Sequence, residues 1–550
     1  MASLAKHPHL DAAISHASDD WSAASRVRAY GVVLLGGVLL ACWLCSLGMP
    51  VPRCDDGIYK SPGAELAQHG RLTVPAARGF LPQAERVFAA YPPLYPVMVG
   101  VWYMVLGVSL PASLAYNFTL HLLGVIGVMA VADRLVKATL LPATTSSGVI
   151  RASTILVVAV GLIHLVNLSH FDRPEETALL WIWPEVLVVH GLATRLGWWR
   201  SLASGLLLGL AGLTAPWVGV LGALIITLRA MFTALQSQRP GRLSLGATMI
   251  VHLAIVGAVA AIMVGTWYAV MEYICPGAVR QQMTATLGYL KGTQITVDAW
   301  QKLQAFRGTL LDNRLQLPAA AVALAFFAVE VAQAGWRRVA PLGLALYLTA
   351  VIGIAVVALV RPAAYTYFGA TLIVLLPCLG TAMVRDLCCE SVASPAELLA
   401  GRAVASGSAS RKWLAIVTLF LCTAVASAET GGLAVAGQWL PDNQRPDRVF
   451  TQLWRAIPPG QSVAVTSTHW LAFQGRNPWR EILMAPADSR EIRQCQWLVL
   501  PSRVGQPDFI DRFELVGATS PARPASEAYG YSLWRRRDAG DELNRKKVQD

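Results

Sequence analysis

The chain has 550 residues, of which 55% are hydrophobic and only 14% charged, and its formal net charge is +12. This composition excludes an ordinary soluble globular protein and is typical of a polytopic membrane protein. The basic residues are spread over short segments between apolar runs, so the positive charge indicates cytoplasmic loops and not a nucleic-acid surface.

Apolar runs close to the roughly 20 residues that cross a bilayer recur along most of the chain, and they predict about eleven crossings. The predicted spans are residues 30–50, 112–131, 149–168, 177–193, 202–214, 216–228, 245–270, 317–334, 341–360, 364–384 and 413–428. A further apolar stretch, 94–110, is short and follows Pro92 and Pro93. The sequence leaves open whether it crosses the bilayer or lies along the interface.

The distribution of lysine and arginine predicts the orientation, because short cytoplasmic loops retain these residues. The basic segments place the N-terminus in the cytoplasm and the loop after the first span on the other side. We therefore predict a cytoplasmic segment at 1–29 and a transmembrane domain at 30–431 with non-cytoplasmic loops at 51–93 and 271–316. The pattern is typical of a multi-pass protein of the bacterial inner membrane.

The composition changes after residue 431, where proline, arginine, glutamine and aspartate replace aliphatic residues. Residues 432–537 are predicted to form a soluble, non-cytoplasmic α/β domain, and 538–550 a charged tail. The predicted helices of this domain are 448–456 and 489–493, and the predicted strands are 462–466, 497–500, 513–516 and 529–534.

Acidic residues at the ends of apolar runs are the first candidates for a functional site. Asp55 and Asp56 follow the first span, and Glu175 and Glu176 follow Arg173 before a later one. Carboxylates are costly near hydrocarbon, so they favour a functional site facing water or a lipid head group. The alternatives are helix capping for both pairs and an ion pair with Arg173 for the second.

Six short motifs occur in an order that resembles one family. They are Asp55-Asp56-Gly57-Ile58-Tyr59, Pro92-Pro93-Leu94-Tyr95, Arg173-Pro174-Glu175, Leu213-Thr214 with Pro216, Trp267-Tyr268 with Pro276, and Arg361 with Tyr365. Together they resemble the lipid-linked-sugar glycosyltransferases of GT-C fold, in the branch of protein O-mannosyltransferases and the lipid A aminoarabinose transferase. The resemblance implies an all-α polytopic membrane domain of about 11–13 transmembrane helices, followed here by the small α/β domain.

The resemblance also implies a reaction. A monosaccharide would pass from a polyprenyl-phosphate carrier to a glycolipid, a cell-envelope polysaccharide or a protein, with inversion at the anomeric carbon. Asp55 or Asp56 would be the general base and Glu175 a second catalytic carboxylate. The expected substrate-binding residues are Tyr59, Tyr91, Tyr95, Arg173, Glu176, Trp267, Tyr268, Arg361 and Tyr365. The alternative is an aromatic belt at the interface for Tyr59, Tyr91, Tyr95, Trp267 and Tyr268, and a snorkelling interfacial arginine for Arg361.

Three residues depart from the aminoarabinose transferases. Those enzymes carry Glu-Lys immediately before the Pro-Pro element, where this chain has Ala90-Tyr91, and a lysine where this chain has Ala215. A different donor or acceptor is therefore expected.

No histidine or cysteine spacing predicts a metal site. His121, His164 and the other histidines are scattered, so a divalent metal, if one is used, is expected on carboxylates. The alternative functions are a multi-span transporter of lipid or polysaccharide and a non-catalytic polyprenyl-phosphate-binding protein. Transporters favour internal repeats and midplane charges, whereas the charges here gather in loops.

Overall fold

The described part of the chain comprises most of the predicted membrane domain and of the C-terminal domain. The computed structural model describes residues 8–50, 56–78, 80–139, 147–166, 168, 173–188, 198–236, 242–293, 300, 336–360, 369–377, 430–435, 437–440, 445–466, 468–482, 490–501, 509–518 and 530–537, with isolated positions between 303 and 332 and between 416 and 428.

Helices account for nearly all of the described membrane domain. They are α1 (Pro8–Ser46), α2 (Asp56–His69), α3 (Leu94–Leu106), α4 (Leu110–Thr139), α5 (Ser147–Val166), α6 (Pro174–Val188), α7 (Trp198–Thr214), α8 (Pro216–Gln236), α9 (Arg242–Ile274), α10 (Ala278–Thr293) and α11 (Pro341–Val360). Among the described residues, five segments are long and apolar enough to cross a membrane: Val27–Ser46, Leu110–Val136, Pro216–Gln236, Gly246–Ile274 and Pro341–Leu359. The prediction of a helical, membrane-spanning domain is confirmed.

Helix α3 resolves a point that the sequence leaves open. It has 13 residues, which corresponds to a length of about 20 Å, whereas the hydrocarbon core is about 30 Å thick. This helix alone is too short to cross. The predicted spans at 317–334, 364–384 and 413–428 lie largely outside the described residues.

The core of the membrane domain is centred on α6. Trp183 is 1% exposed and packs among apolar side chains of α4, α8 and α11. Gly127 of α4 allows the close approach, because a Cβ atom there would lie 2.2 Å from Cδ1 of Trp183. Small residues at such crossings are the usual means by which membrane helices pack tightly.

A second close approach joins α2 to α3, and it yields a prediction. A Cβ atom at Gly63 would lie 2.6 Å from the carbonyl oxygen of Pro96. Because backbone atoms cannot move aside cheaply, we expect Gly63→Ala to lower the free energy of unfolding by about 1–3 kcal/mol. Thermal unfolding of the purified protein in detergent measures this change.

The matched control is Gly257→Ala, since no atom lies within 4 Å of a Cβ placed at Gly257 in α9. Alanine there is expected to be neutral or stabilising by up to about 1 kcal/mol. Equal stability of the two variants would contradict the close packing of α2 on α3.

Within its described residues, the C-terminal domain consists of a five-stranded mixed sheet and two α-helices. The strands are β1 (Val463–Val465), β2 (Trp479–Glu481), β3 (Trp497–Pro501), β4 (Phe513–Ala518) and β5 (Tyr531–Arg536), and the helices are α12 (Pro446–Ala456) and α13 (Arg490–Arg493). The strand order is β2-β1-β3-β5-β4. β1 pairs in parallel with β2 and β3, while β5 runs antiparallel to β3 and β4. The expected small α/β domain is confirmed, with β2 as a strand that the sequence did not predict.

This domain docks on α2 and on the loop that follows it. The side-chain amide of Gln474 donates to Glu65 of α2 at 2.8 Å, and Arg480 donates to the carbonyl of Pro75 at 3.0 Å. Buried residues of the domain, including Trp470 and Leu453, form one apolar cluster with Tyr59 and Tyr95. The domain therefore forms one side of the same core that surrounds the first loop.

His469 of this domain is buried, and burial lowers its pKa to about 4. Histidine in an unfolded chain titrates near 6.5, so between about pH 6.5 and 4 the unfolded state binds a proton that the folded state does not. Its contribution to stability is complete above pH 6.5 and is lost as the pH falls towards 4. We expect the Tm in detergent to fall across this window, and to fall less steeply in His469→Gln.

The control is His69→Gln, because the His69 side chain is 57% exposed. That variant is expected to retain the wild-type pH dependence of Tm. The same slope in His469→Gln as in wild type would contradict a neutral, buried His469.

Candidate active site

A cavity of about 340 Å³ lies where α2, α3, α6, α9, α10 and the α7–α8 turn meet. Six separate segments of the chain contribute side chains to it. Its walls are formed by Tyr59, Phe88, Ala90, Tyr91, Pro92, Tyr95, Pro96, Pro174, Glu175, Thr214, Ala215, Pro216, Trp217, Tyr268, Met283 and Thr286. Most of the short motifs singled out in the sequence thus converge on one space.

Aromatic rings form one wall of the cavity. Tyr59, in the first turn of α2, meets Tyr91 edge to face with ring centroids 5.1 Å apart, and Tyr95 lies 6.4 Å away. Pro93 precedes the first residue of α3 and places Tyr95 in its first turn. Tyrosine rings arranged in this way offer apolar faces and hydroxyl groups suited to a sugar. The structure thus brings Tyr59, Tyr91 and Tyr95 together, and their role in substrate binding remains a prediction.

Glu175 is the acidic residue that faces the cavity. Pro174 begins α6, so Glu175 and Glu176 occupy its first turn, where carboxylates are favourable. Glu175 is 5% exposed, and its Oε2 atom lies 3.6 Å from Nε of Arg173. The Arg173 guanidinium in turn lies over the Tyr59 ring, 5.2 Å from its centroid. The structure thus places a carboxylate, a cation and an aromatic ring beside one another at the cavity.

Asp56 has a different position. It is 2% exposed, its Oδ1 atom is 2.6 Å from Nζ of Lys60, and its Oδ2 atom accepts a hydrogen bond from Nε1 of Trp470 at 3.1 Å. Lys60 also donates to Oγ of Ser113 on α4 at 2.9 Å. Asp56 does not line the cavity, and both of its oxygens are occupied. This geometry argues against Asp56 as a general base and indicates a residue that anchors α2.

Glu176 also faces away from the cavity, contrary to the prediction that it binds substrate. Its Oε1 atom is 2.6 Å from Nδ1 of His121 and 2.8 Å from Nε2 of His164. Adjacent residues of a helix point about 100° apart, so Glu175 and Glu176 cannot face the same space. The sequence contains no local signal for this cluster, because His121 and His164 come from two other helices.

Trp267 and Tyr268 are likewise adjacent on a helix, α9, and point in different directions. Tyr268 lines the cavity, whereas Trp267 does not and packs with Val87, Met271 and Cys275. Trp267 therefore packs against the loop that contains Val87 and does not form part of the cavity wall. Asp55, Arg361 and Tyr365 lie outside the described residues, and their predicted roles remain predictions.

Gln282 of α10 is a supporting residue that sequence reasoning did not single out. Its amide nitrogen donates to the carbonyls of Pro82 and Val87, and its Oε1 atom accepts from the backbone N–H of Ala89 at 2.8 Å. Gln282 is 0% exposed. These three bonds hold the loop that carries Phe88, Ala90 and Tyr91 against α10. Gln282 is one of several polar residues of α10, so the sequence does not distinguish it.

Comparison of the sequence with models of protein families, and with curated proteins, finds no match. Solved structures do match. ArnT from Cupriavidus metallidurans in the apo state aligns with a TM-score of 0.54 at 14% identity, over 92% of this chain and 98% of that chain. The same protein bound to undecaprenyl phosphate aligns with a TM-score of 0.56 at 15% identity, over 92% and 97%.

These alignments extend over the membrane domain and the C-terminal domain alike. The chain therefore has the GT-C fold, as the order of its sequence motifs predicts. Because fold alone does not define an activity, the function is argued below from the cavity.

Proposed function

We propose that this protein is an integral-membrane glycosyltransferase that moves a monosaccharide from a polyprenyl-phosphate carrier to a glycolipid, a cell-envelope polysaccharide or a protein. The observation that carries the proposal is the convergence of Tyr59, Tyr91, Tyr95, Glu175 and Tyr268 on one cavity. Tyr59, Tyr95, Glu175 and Tyr268 belong to motifs of the GT-C resemblance, and Tyr91 directly precedes the Pro92-Pro93-Leu94-Tyr95 motif. Aromatic rings can pack against a sugar, and a carboxylate can assist its transfer.

The lipid carrier is supported by the fold. ArnT, which shares this fold over almost the whole chain, has been solved bound to undecaprenyl phosphate. The distribution of basic residues favours a bacterial inner membrane with the cavity on the non-cytoplasmic side. Undecaprenyl phosphate is then the proposed carrier, and the cavity opens to its head group.

The proposed reaction is a single in-line displacement. Asp55 removes the proton from the acceptor hydroxyl while the hydroxyl oxygen attacks the anomeric carbon, and the bond from that carbon to the phosphate oxygen breaks. The carrier phosphate leaves with the bonding electron pair, and inversion follows from attack on the opposite face. Glu175, held near Arg173, orients the acceptor, and Arg361 is proposed to bind the phosphate bidentately.

The departures from the aminoarabinose transferases all lie in the cavity wall. Ala90 and Tyr91 stand where those enzymes have Glu-Lys, Ala215 stands where they have a lysine, and all three residues line the cavity. Removal of two cationic side chains and one acidic one changes both the charge and the size of the pocket. We therefore propose a donor sugar or an acceptor different from that of the aminoarabinose enzymes.

The direct test is a transfer assay with the purified full-length protein. A panel of radiolabelled undecaprenyl-phosphate monosaccharides is incubated with lipid, polysaccharide and protein fractions, and label in each fraction is counted. Wild type is expected to label one fraction with one donor. Glu175→Gln is expected to be about 10- to 100-fold slower, since it loses a charge-assisted contact of about 1.5–3 kcal/mol.

The control is Glu272→Gln, which changes an exposed carboxylate of α9 and is expected to keep the wild-type rate. Tight binding of the lipid carrier without transfer from any donor would instead identify a polyprenyl-phosphate-binding protein. Transport of the lipid across vesicles without transfer would favour the transporter alternative.

A further inference from the structure

A buried cluster of two histidines and one glutamate joins three membrane helices. His121 of α4, His164 of α5 and Glu176 of α6 are 1%, 1% and 5% exposed. One atom of each, namely Nδ1, Nε2 and a carboxylate oxygen, lies within 4.8 Å of the others. The two imidazole rings are nearly perpendicular, with centroids 5.1 Å apart. Neither histidine lines the cavity, and the cluster takes no part in the proposed transfer reaction.

The hydrogen bonds of the cluster require a positive charge within it. Nε2 of His121 lies 3.1 Å from the carbonyl oxygen of Leu165, which only accepts, so Nε2 carries a proton. The other ring nitrogen, Nδ1, then faces Oε1 of Glu176 at 2.6 Å. Two lone pairs at this distance repel each other unless a cation lies between them. That cation is either a shared proton or a metal ion.

The donor set is the one that Zn²⁺ prefers. Two imidazole nitrogens and a carboxylate oxygen are a recognised set of three protein ligands for this ion, whereas Mg²⁺ and Ca²⁺ favour oxygen alone. The bond from His121 Nε2–H to the Leu165 carbonyl is the type of contact that orients a metal-binding histidine, and here it directs Nδ1 at the Glu176 carboxylate. Within the described residues, Nδ1 of His164 has no hydrogen-bond partner. No second hydrogen bond therefore fixes the tautomer of that ring.

The distances allow an ion to enter with small movements. Ligands about 2.0–2.1 Å from a tetrahedral Zn²⁺ lie about 3.3 Å from one another, compared with 2.6 and 2.8 Å for the present pairs. Shifts of about half an ångström at the side-chain tips would separate these two pairs to that distance, and the two histidine nitrogens already lie within 4.8 Å of each other. Gly124 leaves room beside the cluster, because its missing Cβ would lie 3.6 Å from Cε1 of His164 and 3.8 Å from Oε1 of Glu176.

We propose that His121, His164 and Glu176 form a binding site for a divalent transition-metal ion, with Zn²⁺ as the best match. On binding, the proton shared by His121 and Glu176 leaves to solvent, and the proton of His164 moves from Nε2 to Nδ1. The ion ties the first turn of α6 to α4 and α5. Because Glu175 is the preceding residue, the ion also positions the carboxylate that faces the cavity. The site exists independently of the reaction proposed above.

The test measures metal content in the full-length protein. Purified protein in detergent is stripped with a chelator, incubated with Zn²⁺, separated from free ion by gel filtration and analysed by mass spectrometry of the metal. Wild type is expected to retain about one Zn²⁺ per chain. Glu176→Gln and His164→Gln are expected to lose it. His164→Gln is the milder change, since the new amide can still donate to Glu176.

The control is His252→Gln, which removes another buried histidine, one bonded to Ser201 on a different helix pair. It is expected to bind Zn²⁺ as wild type does. Co²⁺ provides a second measurement, because a four-coordinate site with nitrogen ligands gives visible absorption bands that His164→Gln should lack. Absence of retained Zn²⁺ in folded wild type, or equal retention in wild type and His164→Gln, would overturn the proposal.

Discussion

Replacement of Asp55 by asparagine is expected to lower the turnover number of sugar transfer by about 10²- to 10⁴-fold, the usual contribution of a general base. The expectation follows from the environment of its neighbour. Asp56 is buried against Lys60 and Trp470, so of the two adjacent carboxylates Asp55 is the one we propose as the base. Asparagine has nearly the same shape and cannot accept the proton. The measurement is the rate of label transfer from the donor identified in the panel above.

Asp56→Asn is the matched comparison, because it makes the same chemical change one residue away. Its effect is expected in stability, with a transfer rate per folded molecule within about tenfold of wild type. The opposite result, a stable but inactive Asp56→Asn beside an active Asp55→Asn, would assign the base to Asp56 and contradict the anchoring role.

Lys60→Met is expected to lower the free energy of unfolding by about 3–5 kcal/mol, the typical cost of removing one partner from a buried ion pair. The Lys60 and Asp56 side chains are 1% and 0% exposed. Methionine fills a similar volume but leaves the Asp56 carboxylate buried without its cation, and it removes the hydrogen bond to Ser113 of α4. Thermal and denaturant unfolding in detergent, followed by tryptophan fluorescence, measures the loss.

The double variant Asp56→Asn/Lys60→Met provides the decisive control. It removes the charge together with its partner, so we expect it to regain at least half of the lost stability, since well-packed neutral groups often replace a buried pair at little cost. Arg71→Met, at an exposed position just after α2, is expected to change stability by less than about 0.5 kcal/mol. A double variant no more stable than Lys60→Met would contradict a paired Asp56.

The contacts of Asp56 join α2, which carries a residue of the cavity wall, to the C-terminal domain. Asp56 contacts Lys60 within α2 and Trp470 in the C-terminal domain, and Lys60 contacts Ser113 on α4. The N-terminal end of α2 is therefore held from two sides, and Tyr59 of the same turn faces the cavity. Stability of the C-terminal domain and integrity of the cavity are linked through these contacts. Variants of Trp470 are thus expected to affect the cavity although this residue lies outside it.

Several site residues were predictable because their signals are local. Tyr59, Tyr91, Tyr95 and Glu175 each lie within a few residues of a proline, a glycine or a carboxylate at the end of an apolar run. The length of an apolar run and its polar ends indicate which part of a segment lies in lipid and which part lies in water. That information is contained in neighbouring residues, so the sequence predicts that these side chains lie at the same membrane face.

The direction in which a side chain points is a different kind of information. Glu175 faces the cavity and Glu176 faces the histidines; Tyr268 faces the cavity and Trp267 does not. Each pair consists of similar neighbours about 100° apart on a helix. The rotation of α6 and of α9 about their own axes depends on contacts such as that of Trp183 with Gly127. No local pattern encodes that rotation.

Hydrophobicity and periodicity act over short distances along the chain, so the sequence alone predicts a membrane domain of apolar helices, a small C-terminal α/β domain and a set of acidic and aromatic residues at one face. The pairing of Asp56 with Lys60 and Trp470, and the contacts of His121 and His164 with Glu176, are seen only in the folded molecule. The partners of Asp56 and Glu176 lie as far as 414 positions away in sequence. Such contacts form because buried charges need partners, and helix packing determines which partner lies within reach.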